Sequence, residues 1–208
     1  MRKHKLETGY IYHILNRGVE KRKIFQDNKD YFRFIHNLYE FNDEKPALNH
    51  YYRQSSEVRP RKRECLVEIL AFCLMPNHYH ILIKQIKDNG ITEFMRKLGT
   101  GYSMYFNQKN ERTGPLFQGK FKSVLIEKEQ HLSFMPVYIH LNPLDLAYPE
   151  WRTGRVKNTK QAFNFLRQYK WSSYLDYIGQ KNFPLLLTEK SHLSKSPNEE
   201  NTHQKILT

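Results

Sequence analysis

The sequence is poor in cysteine and in long apolar runs, and both shortages exclude classes of protein. Its 208 residues include two cysteines, Cys65 and Cys73, which form no CxxC pair, so neither a zinc knuckle nor a disulfide framework is expected. We expect reduced thiols in a reducing cytoplasm. No stretch approaches the ~18 uninterrupted apolar residues of a membrane span, and the first residues lack the apolar core of a signal peptide. The prediction is a soluble, cytoplasmic protein with no membrane partner.

Acidic residues are also few compared with basic ones. The chain has 21 aspartates and glutamates against 34 lysines and arginines, a net charge of +13. A charge of this size favours a polyanionic partner whose binding weakens as salt rises. Aromatic residues make up 14% of the chain, and because aromatic faces stack on unpaired bases, nucleic acid is the favoured polyanion. The alternative is a basic but unspecialised surface.

The order of the apolar patterns predicts the fold class. Strand patterns lie at 10–16, 66–74, 79–84 and 123–126, helical patterns at 30–41, 91–106 and 129–142, and a tight turn at 75–77. The first six elements follow the split βαβ, ferredoxin-like arrangement. We therefore predict an α+β fold: a ferredoxin-like (RRM-like) four-stranded antiparallel sheet with helices on one face, plus a helix after strand four.

One domain is predicted over residues 1–188. A polar and basic loop insertion spans 43–65, and a polar, flexible tail spans 189–208. The aromatic segment 171–174 is interpreted as a packing segment.

Two histidines flank a tyrosine in the apolar run 72–83, as His78-Tyr79-His80. Because side chains alternate along a strand, both imidazoles leave one face and Tyr79 leaves the other. Two parallel imidazoles can supply two of the ligands of a divalent-metal site. The alternative is a structural or surface pair, and two histidines alone leave a metal site incomplete.

The last predicted helix offers what the pair lacks. Tyr138 and Asn142 are four apart and share a helix face. The Asn142 carbonyl is a ligand for Mg²⁺ or Mn²⁺, and Tyr138 beside it becomes a candidate covalent nucleophile for a metal-bound phosphate. Against this, the chain has 14 tyrosines, and asparagine before proline is a common helix stop. His131 is a second candidate for metal or phosphate contact, and His140 is interpreted as structural or DNA-facing.

Four motifs carry a resemblance to a known family. Residues 75–80, 114–122, 138–143 and 171–174 occur in the same order as motifs of the REP-associated tyrosine transposases. That group is similar to the single-strand transposases of small bacterial insertion sequences. Both are HUH endonucleases, named for histidine-hydrophobic-histidine, and Tyr79 fills the hydrophobic position.

The resemblance implies Mg²⁺- or Mn²⁺-dependent cleavage and joining of single-stranded or hairpin DNA at REP-like sites by a bacterial, nucleoid-associated enzyme. The reaction leaves a 5′-phosphotyrosine and a 3′-hydroxyl. By motif matching, His78 and His80 are metal ligands and Tyr138 is the nucleophile. Asn142 takes the third-ligand position, where the insertion-sequence relatives usually carry glutamine.

Pro136 departs from a regular catalytic helix. A proline inside a helix removes a hydrogen bond and clashes with the preceding turn. We therefore expect a kink at Pro136 or an end to the first part of the helix, which leaves a degenerate copy of the enzyme as an open alternative.

Basic residues supply candidate phosphate contacts. Arg17 follows the first strand, and Lys120 and Lys122 lie in the glycine-punctuated turn 114–122, here named the basic turn. The run Arg61-Lys62-Arg63 is either a solvated loop or a contact for a DNA hairpin.

Two other functions and two assembly states stay open. A nucleic-acid-binding module of RRM type explains the charge but expects aromatic RNP motifs that the central strands lack. A hydrolytic metal nuclease expects acidic residues near the histidines. The additional C-terminal segment favours a monomer over a homodimer that exchanges the catalytic helix, as the insertion-sequence relatives do.

Overall fold

An antiparallel sheet organises residues 5–46 and 63–187, the part of the chain that the computed structural model describes. Its strands are β1 (Ile11–Arg17), β2 (Val67–Met75), β3 (His78–Gln85) and β4 (Lys122–Leu125), in the order β2-β3-β1-β4. The helices are α1 (Asn28–Glu40), α2 (Gly90–Lys109), α3 (Glu129–Leu141), α4 (Thr159–Gln168) and α5 (Tyr174–Tyr177), with short 3-10 helices at Val19–Lys21, Asn142–Leu146 and Pro149–Thr153. The predicted ferredoxin-like α+β fold is confirmed, and β3 lies inside the sheet.

Local chemistry explains the hairpin and the start of α1. Pro76 and Asn77 form a two-residue turn between β2 and β3, one residue shorter than the predicted turn at 75–77 because Met75 belongs to β2. The Asp27 side chain accepts a hydrogen bond from the backbone N–H of Asp30 at 3.1 Å, so Asp27 is the N-cap of α1.

Helices α1 and α2 cover one face of the sheet and form the main core with it. Tyr79 is 1% exposed and its ring lies 5.0 Å from that of Phe34 on α1. The main core also contains Ile14, Leu38, Phe72, Ile81, Ile83, Phe94, Leu98 and Tyr102. Side chains of β3 that alternate with Tyr79 therefore leave the opposite face.

Helix α3 covers that opposite face, packing against β2 and β3. The chain after α3 then folds around the helix. Buried residues of α3 and of the segment that follows it form a second cluster, here named the small core: Val137, Leu141, Leu144, Trp151, Val156, Ala162, Phe163, Leu166 and Tyr174. The small core holds α3 between the sheet and the C-terminal segment.

Pro136 does not end the helix. Helix α3 runs without a break from Glu129 to Leu141, and Pro136 is buried within it. The expected end of the first part of the helix is therefore wrong. Packing of the helix on both sides compensates for the one backbone hydrogen bond that proline removes.

The outer edge of β2 is covered by the segment predicted to pack. The backbone N–H of Leu74 donates to the Trp171 carbonyl at 2.9 Å, and that of Ser173 donates to the Phe72 carbonyl at 3.0 Å. These bonds satisfy groups that an open sheet edge leaves unpaired. The packing role is confirmed.

Several sequence predictions fall on residues outside the described ranges. They are most of the loop insertion 43–65, including Arg61 and Lys62, and the tail 189–208. Among the described residues, helices that combine the length and the apolar character needed to cross a membrane are absent.

Candidate active site

Strand β3 presents His78 and His80, here named the histidine pair, to the face covered by α3. Their ring centroids lie 5.0 Å apart, and His80 is 7% exposed. Tyr79 points into the main core on the other side. The predicted alternation of faces is confirmed.

A hydrogen bond at Nδ1 orients each ring of the pair. His78 Nδ1 lies 2.6 Å from Asn77 Oδ1, and because an amide oxygen only accepts, Nδ1 is the donor. His80 Nδ1 lies 2.9 Å from Nε2 of His13 on β1. The proton on His78 Nδ1 leaves its Nε2 lone pair to bind a metal, and the same holds for His80 in the tautomer in which its Nδ1 donates to His13.

Burial keeps these rings neutral. Burial, and after it the nearby Arg17 guanidinium, lower the pKa of His78 to about 4. Burial likewise lowers the pKa of His13 to about 4 and that of His80 well below its usual value. A metal binds the deprotonated imidazole, so the rings need not lose a proton at neutral pH before binding.

His13 is a site residue that sequence reasoning missed. It lies on β1. The β1–β3 register pairs His13 with Leu82 and Leu15 with His80, so His13 lies diagonally across from His80. The strand pattern placed His13 on a face, but only the register between β1 and β3 brings it to His80.

Helix α3 brings Tyr138 over the histidine pair. The Tyr138 ring lies 6.1 Å from the His80 ring and 6.2 Å from the His13 ring, edge-on to both. The spacing argument that selected Tyr138 among the tyrosines therefore selected one that lies at the pair.

Asn142 follows the last turn of α3 and is fully buried. Its Nδ2 donates to the Tyr138 carbonyl at 2.7 Å, so the amide also closes the end of the helix. Its Oδ1 accepts from Arg152 at 3.3 Å. Asn142 as third ligand stays a prediction, and the described residues contain no group of three or more histidine, cysteine or acidic side chains that could hold a metal. An amide oxygen and phosphate oxygens fit as the further donors to a hard cation.

Asp145 and Arg152 were also missed. Both follow α3, and Arg152 contacts the Tyr138 hydroxyl and binds the Asp145 carboxylate. Asp145 also lies close enough to His78 to oppose the lowering of its pKa. The sequence offers no periodic signal for them because they lie in short 3-10 helices.

Helix α3 also carries His131 and His140, which were considered as further site residues. His140 is buried, with Nε2 2.8 Å from Ser173 Oγ and its ring 4.6 Å from that of Tyr177, so its role is structural. His131 lies exposed near the start of α3.

Three predicted DNA contacts lie at the same end of the sheet as His78. Arg17 is exposed and paired with His78 across the β1–β3 register. The basic turn is tied to this end, since the backbone N–H of Gln118 donates to the Arg17 carbonyl at 2.9 Å. Lys120 and Lys122 are exposed and line a groove of about 1400 Å³ between α2 and β4.

Arg63 lies at the other end of the sheet, before the start of β2. Its guanidinium donates to the carbonyls of Tyr39 and Asn42 and stacks 3.7 Å from the centre of the Tyr39 ring. These contacts fix the arginine against the end of α1.

Comparisons with known proteins agree with this geometry. A family described as IS200-like transposases matches residues 7–142. None of the curated proteins matches the chain. A solved structure, that of a REP-associated tyrosine transposase bound to a REP hairpin, is similar in fold: the TM-score is 0.57 and the identity 13%, with 92% of each chain covered.

Proposed function

The chain belongs to the family of IS200-like transposases, and from this membership we propose that it cleaves and rejoins single-stranded DNA through a covalent bond to Tyr138. The position of the Tyr138 ring, 6.1 Å from that of His80, is the observation that carries the proposal. A transposase family also favours this function over a binding module of RRM type. The REP-associated kind is part of the proposal, supported by the shared fold.

In the proposed reaction, the Tyr138 hydroxyl loses its proton to solvent and its oxygen attacks the phosphorus of a phosphodiester. A bond forms between Tyr138 and the 5′-phosphate, the bond to the 3′ oxygen breaks, and that oxygen takes a proton to become a 3′-hydroxyl. Because the phosphotyrosine keeps the energy of the broken bond, the reverse reaction joins strands without a nucleotide cofactor.

Metal dependence is part of the same proposal. Mg²⁺ or Mn²⁺, when bound, polarises the scissile phosphate and offsets the charge that grows on its oxygens. His78 and His80 would hold the ion through Nε2, with Asn142 Oδ1 as the third ligand. The neutral, oriented imidazoles support this assignment.

We propose hairpin DNA with flanking single strands as the substrate. The solved structure of similar fold contains a REP hairpin, and the net charge of +13 suits a polyanion. Arg17 supplies positive charge next to His78, and Lys120 and Lys122 supply more in the groove between α2 and β4. Phe117 and Phe121 line the same groove as the two lysines, where they offer rings for bases to stack on.

We further propose that a single chain is active. Tyr138 lies at the histidine pair of its own chain, and the small core joins α3 to the segment that follows it. Exchange of α3 alone would separate Val137 and Leu141 from their partners in the small core, and exchange of α3 together with the segment after it would break the bonds of Trp171 and Ser173 to the edge of β2 within the chain. A monomer is therefore favoured over a homodimer with exchanged helices.

The test is a search for the covalent intermediate. The protein is incubated with labelled single-stranded DNA containing a hairpin and with Mn²⁺, then denatured and separated on a gel. We expect a protein–DNA band that Tyr138→Phe abolishes while DNA binding survives. Tyr10→Phe, a change at an exposed tyrosine outside the site, is the matched control and keeps the band. Cleavage without a band would instead support a hydrolytic nuclease, and binding without cleavage would support a binding module.

A further inference from the structure

Arg152 lies in the 3-10 helix Pro149–Thr153, beyond residue 142 where the family match ends. Its guanidinium nevertheless contacts two groups of the candidate site. Nη1 lies 3.5 Å from the Tyr138 hydroxyl, and Nη2 lies 3.3 Å from Asn142 Oδ1. A residue outside the family match thus contacts both the nucleophile and the candidate third ligand.

The guanidinium is itself fixed by Asp145. Arg152 Nε lies 2.9 Å from Asp145 Oδ1, and Nη2 lies 2.6 Å from Oδ2, which is the paired geometry that arginine and carboxylate prefer. Trp151 donates through Nε1 to Asp145 Oδ1 at 2.7 Å, and its buried ring anchors this loop in the small core. The carboxylate therefore determines the direction in which the guanidinium points.

This arrangement does more than hold a loop in place. The bonds to Asp145 already satisfy one edge of the guanidinium, and the other edge faces the two oxygen atoms of Tyr138 and Asn142. A cation beside the phenol oxygen favours the negative charge that forms when the proton leaves, and fixed charges of this kind act where charge develops.

We propose that Arg152 is a positioning residue for the transposase reaction, fixing the Tyr138 hydroxyl for attack and stabilising its developing charge, with Asp145 holding Arg152 in place. The inference rests on the proposed function, because it requires Tyr138 to be the nucleophile. It assigns a role in the reaction to the segment after residue 142.

The test measures the rate at which the covalent band forms in a single turnover, with the protein in excess over labelled DNA and at a saturating concentration. For Arg152→Ala we expect a slowing of about 100-fold, the scale on which loss of one preorganised donor acts. DNA affinity without metal changes less than about threefold, as expected for a residue that acts in the transition state. Added guanidinium ion restores part of the rate, and an equal concentration of sodium chloride does not. Arg155→Ala, a change at an exposed arginine in the same loop, is the matched control.

A second measurement needs neither metal nor DNA. In protein labelled with ¹³C at the tyrosine ring, the signal of Tyr138 is identified by its loss in Tyr138→Phe. Arg152→Ala should shift this signal and Arg155→Ala should not. Arg152→Lys, which keeps the charge but not the paired contact with Asp145, covers the case in which the alanine variant fails to fold, and should fall between wild type and Arg152→Ala.

The outcomes separate the two proposals. If the wild-type band forms and Tyr138→Phe abolishes it, but Arg152→Ala and Arg152→Lys react at the wild-type rate, the positioning role is wrong and the proposed function stands. A loss of DNA affinity as large as the loss of rate would also overturn it, making Arg152 a DNA contact. If wild type forms no band, both proposals fail.

Discussion

His13 and His80 contact each other across the two central strands, with Nε2 of the first 2.9 Å from Nδ1 of the second. The ring centroids lie 5.0 Å apart and the ring planes are 18° from parallel. His13 is thus hydrogen-bonded to a candidate metal ligand. In protein metal sites, the group at this position sets the tautomer and the orientation of the histidine ligand.

The first prediction concerns His13→Phe, which keeps a ring but removes the hydrogen bond to His80. We expect Mn²⁺ affinity to fall by about 10- to 100-fold, the usual effect of losing such a partner. Isothermal titration calorimetry on the protein without DNA measures the change. The exposed His131, changed to phenylalanine, is the control and should keep its affinity. Equal affinity in the two variants would exclude a supporting role for His13.

The second prediction concerns acid stability without metal. The pKa values of His13 and His78 are about 4 in the folded protein and 6.5 when unperturbed, so the unfolded chain binds their protons first as the pH falls. Stability is therefore complete above pH 6.5 and is lost progressively down to about pH 4, at about 1.4 kcal/mol per pH unit for each group. Urea unfolding in EDTA at several pH values measures the loss. His13→Phe should show a shallower fall, and parallel curves would contradict the assignment.

The third prediction tests the small core. Leu166 on α4 is fully buried there, and Leu166→Ala should lower the free energy of unfolding by about 2–5 kcal/mol. Trp151 belongs to the same cluster, so its fluorescence in a Trp171→Phe background reports on this region during urea unfolding. The control is Leu146→Ala, a change at a leucine that is 49% exposed. A Leu166 variant as stable as the Leu146 variant would mean that the small core does not hold α3.

The fourth prediction tests whether one chain carries the whole site. Tyr138→Phe and His78→Ala each remove one half of it, so each alone should give no covalent band. If Tyr138 acts on the histidine pair of its own chain, mixing the two variants should also give no band. A band in the mixture would show that Tyr138 of one chain serves the pair of another.

The fifth prediction concerns Arg17, beside His78 at the exposed end of β1. Arg17→Gln should weaken hairpin DNA binding and reduce the slope of log affinity against log salt by about 1, as for the loss of one phosphate contact. Fluorescence anisotropy at several salt concentrations measures the slope. Arg33→Gln, a change on the exposed side of α1, removes the same charge from the helices on the other face of the sheet. It should leave the slope of log affinity against log salt unchanged.

The sequence predicted the parts of the site that depend on short-range periodicity. Alternation along β3 placed His78 and His80 together, and helical spacing placed Tyr138 and Asn142 on one face. His13 required a register between β1 and β3, which alternation within one strand does not specify. Arg152 and Asp145 required the path of the chain after α3, where short 3-10 helices carry no repeating apolar pattern.

The expected end of the helix at Pro136 was wrong for a related reason, while the alternative, a kink, stays a prediction. In an isolated helix, a proline lowers stability because it removes a backbone hydrogen bond and clashes with the preceding turn. In the folded protein α3 is buried on two sides, and Pro136 is itself one of the buried residues. Tertiary packing outweighed the local penalty.

In the tripeptide His78-Tyr79-His80, the alternation of side chains determines both which residue enters the main core and which residues face α3. A slip of β3 by one residue would turn both histidines into the aromatic core and push Tyr79 out to α3. Such a chain would bury two imidazoles where Phe34 now meets the Tyr79 ring, and it would lose the main core along with the proposed metal site. The same alternation along β3 therefore determines both the packing of the main core and the placement of the proposed metal ligands, so a one-residue slip would lose both.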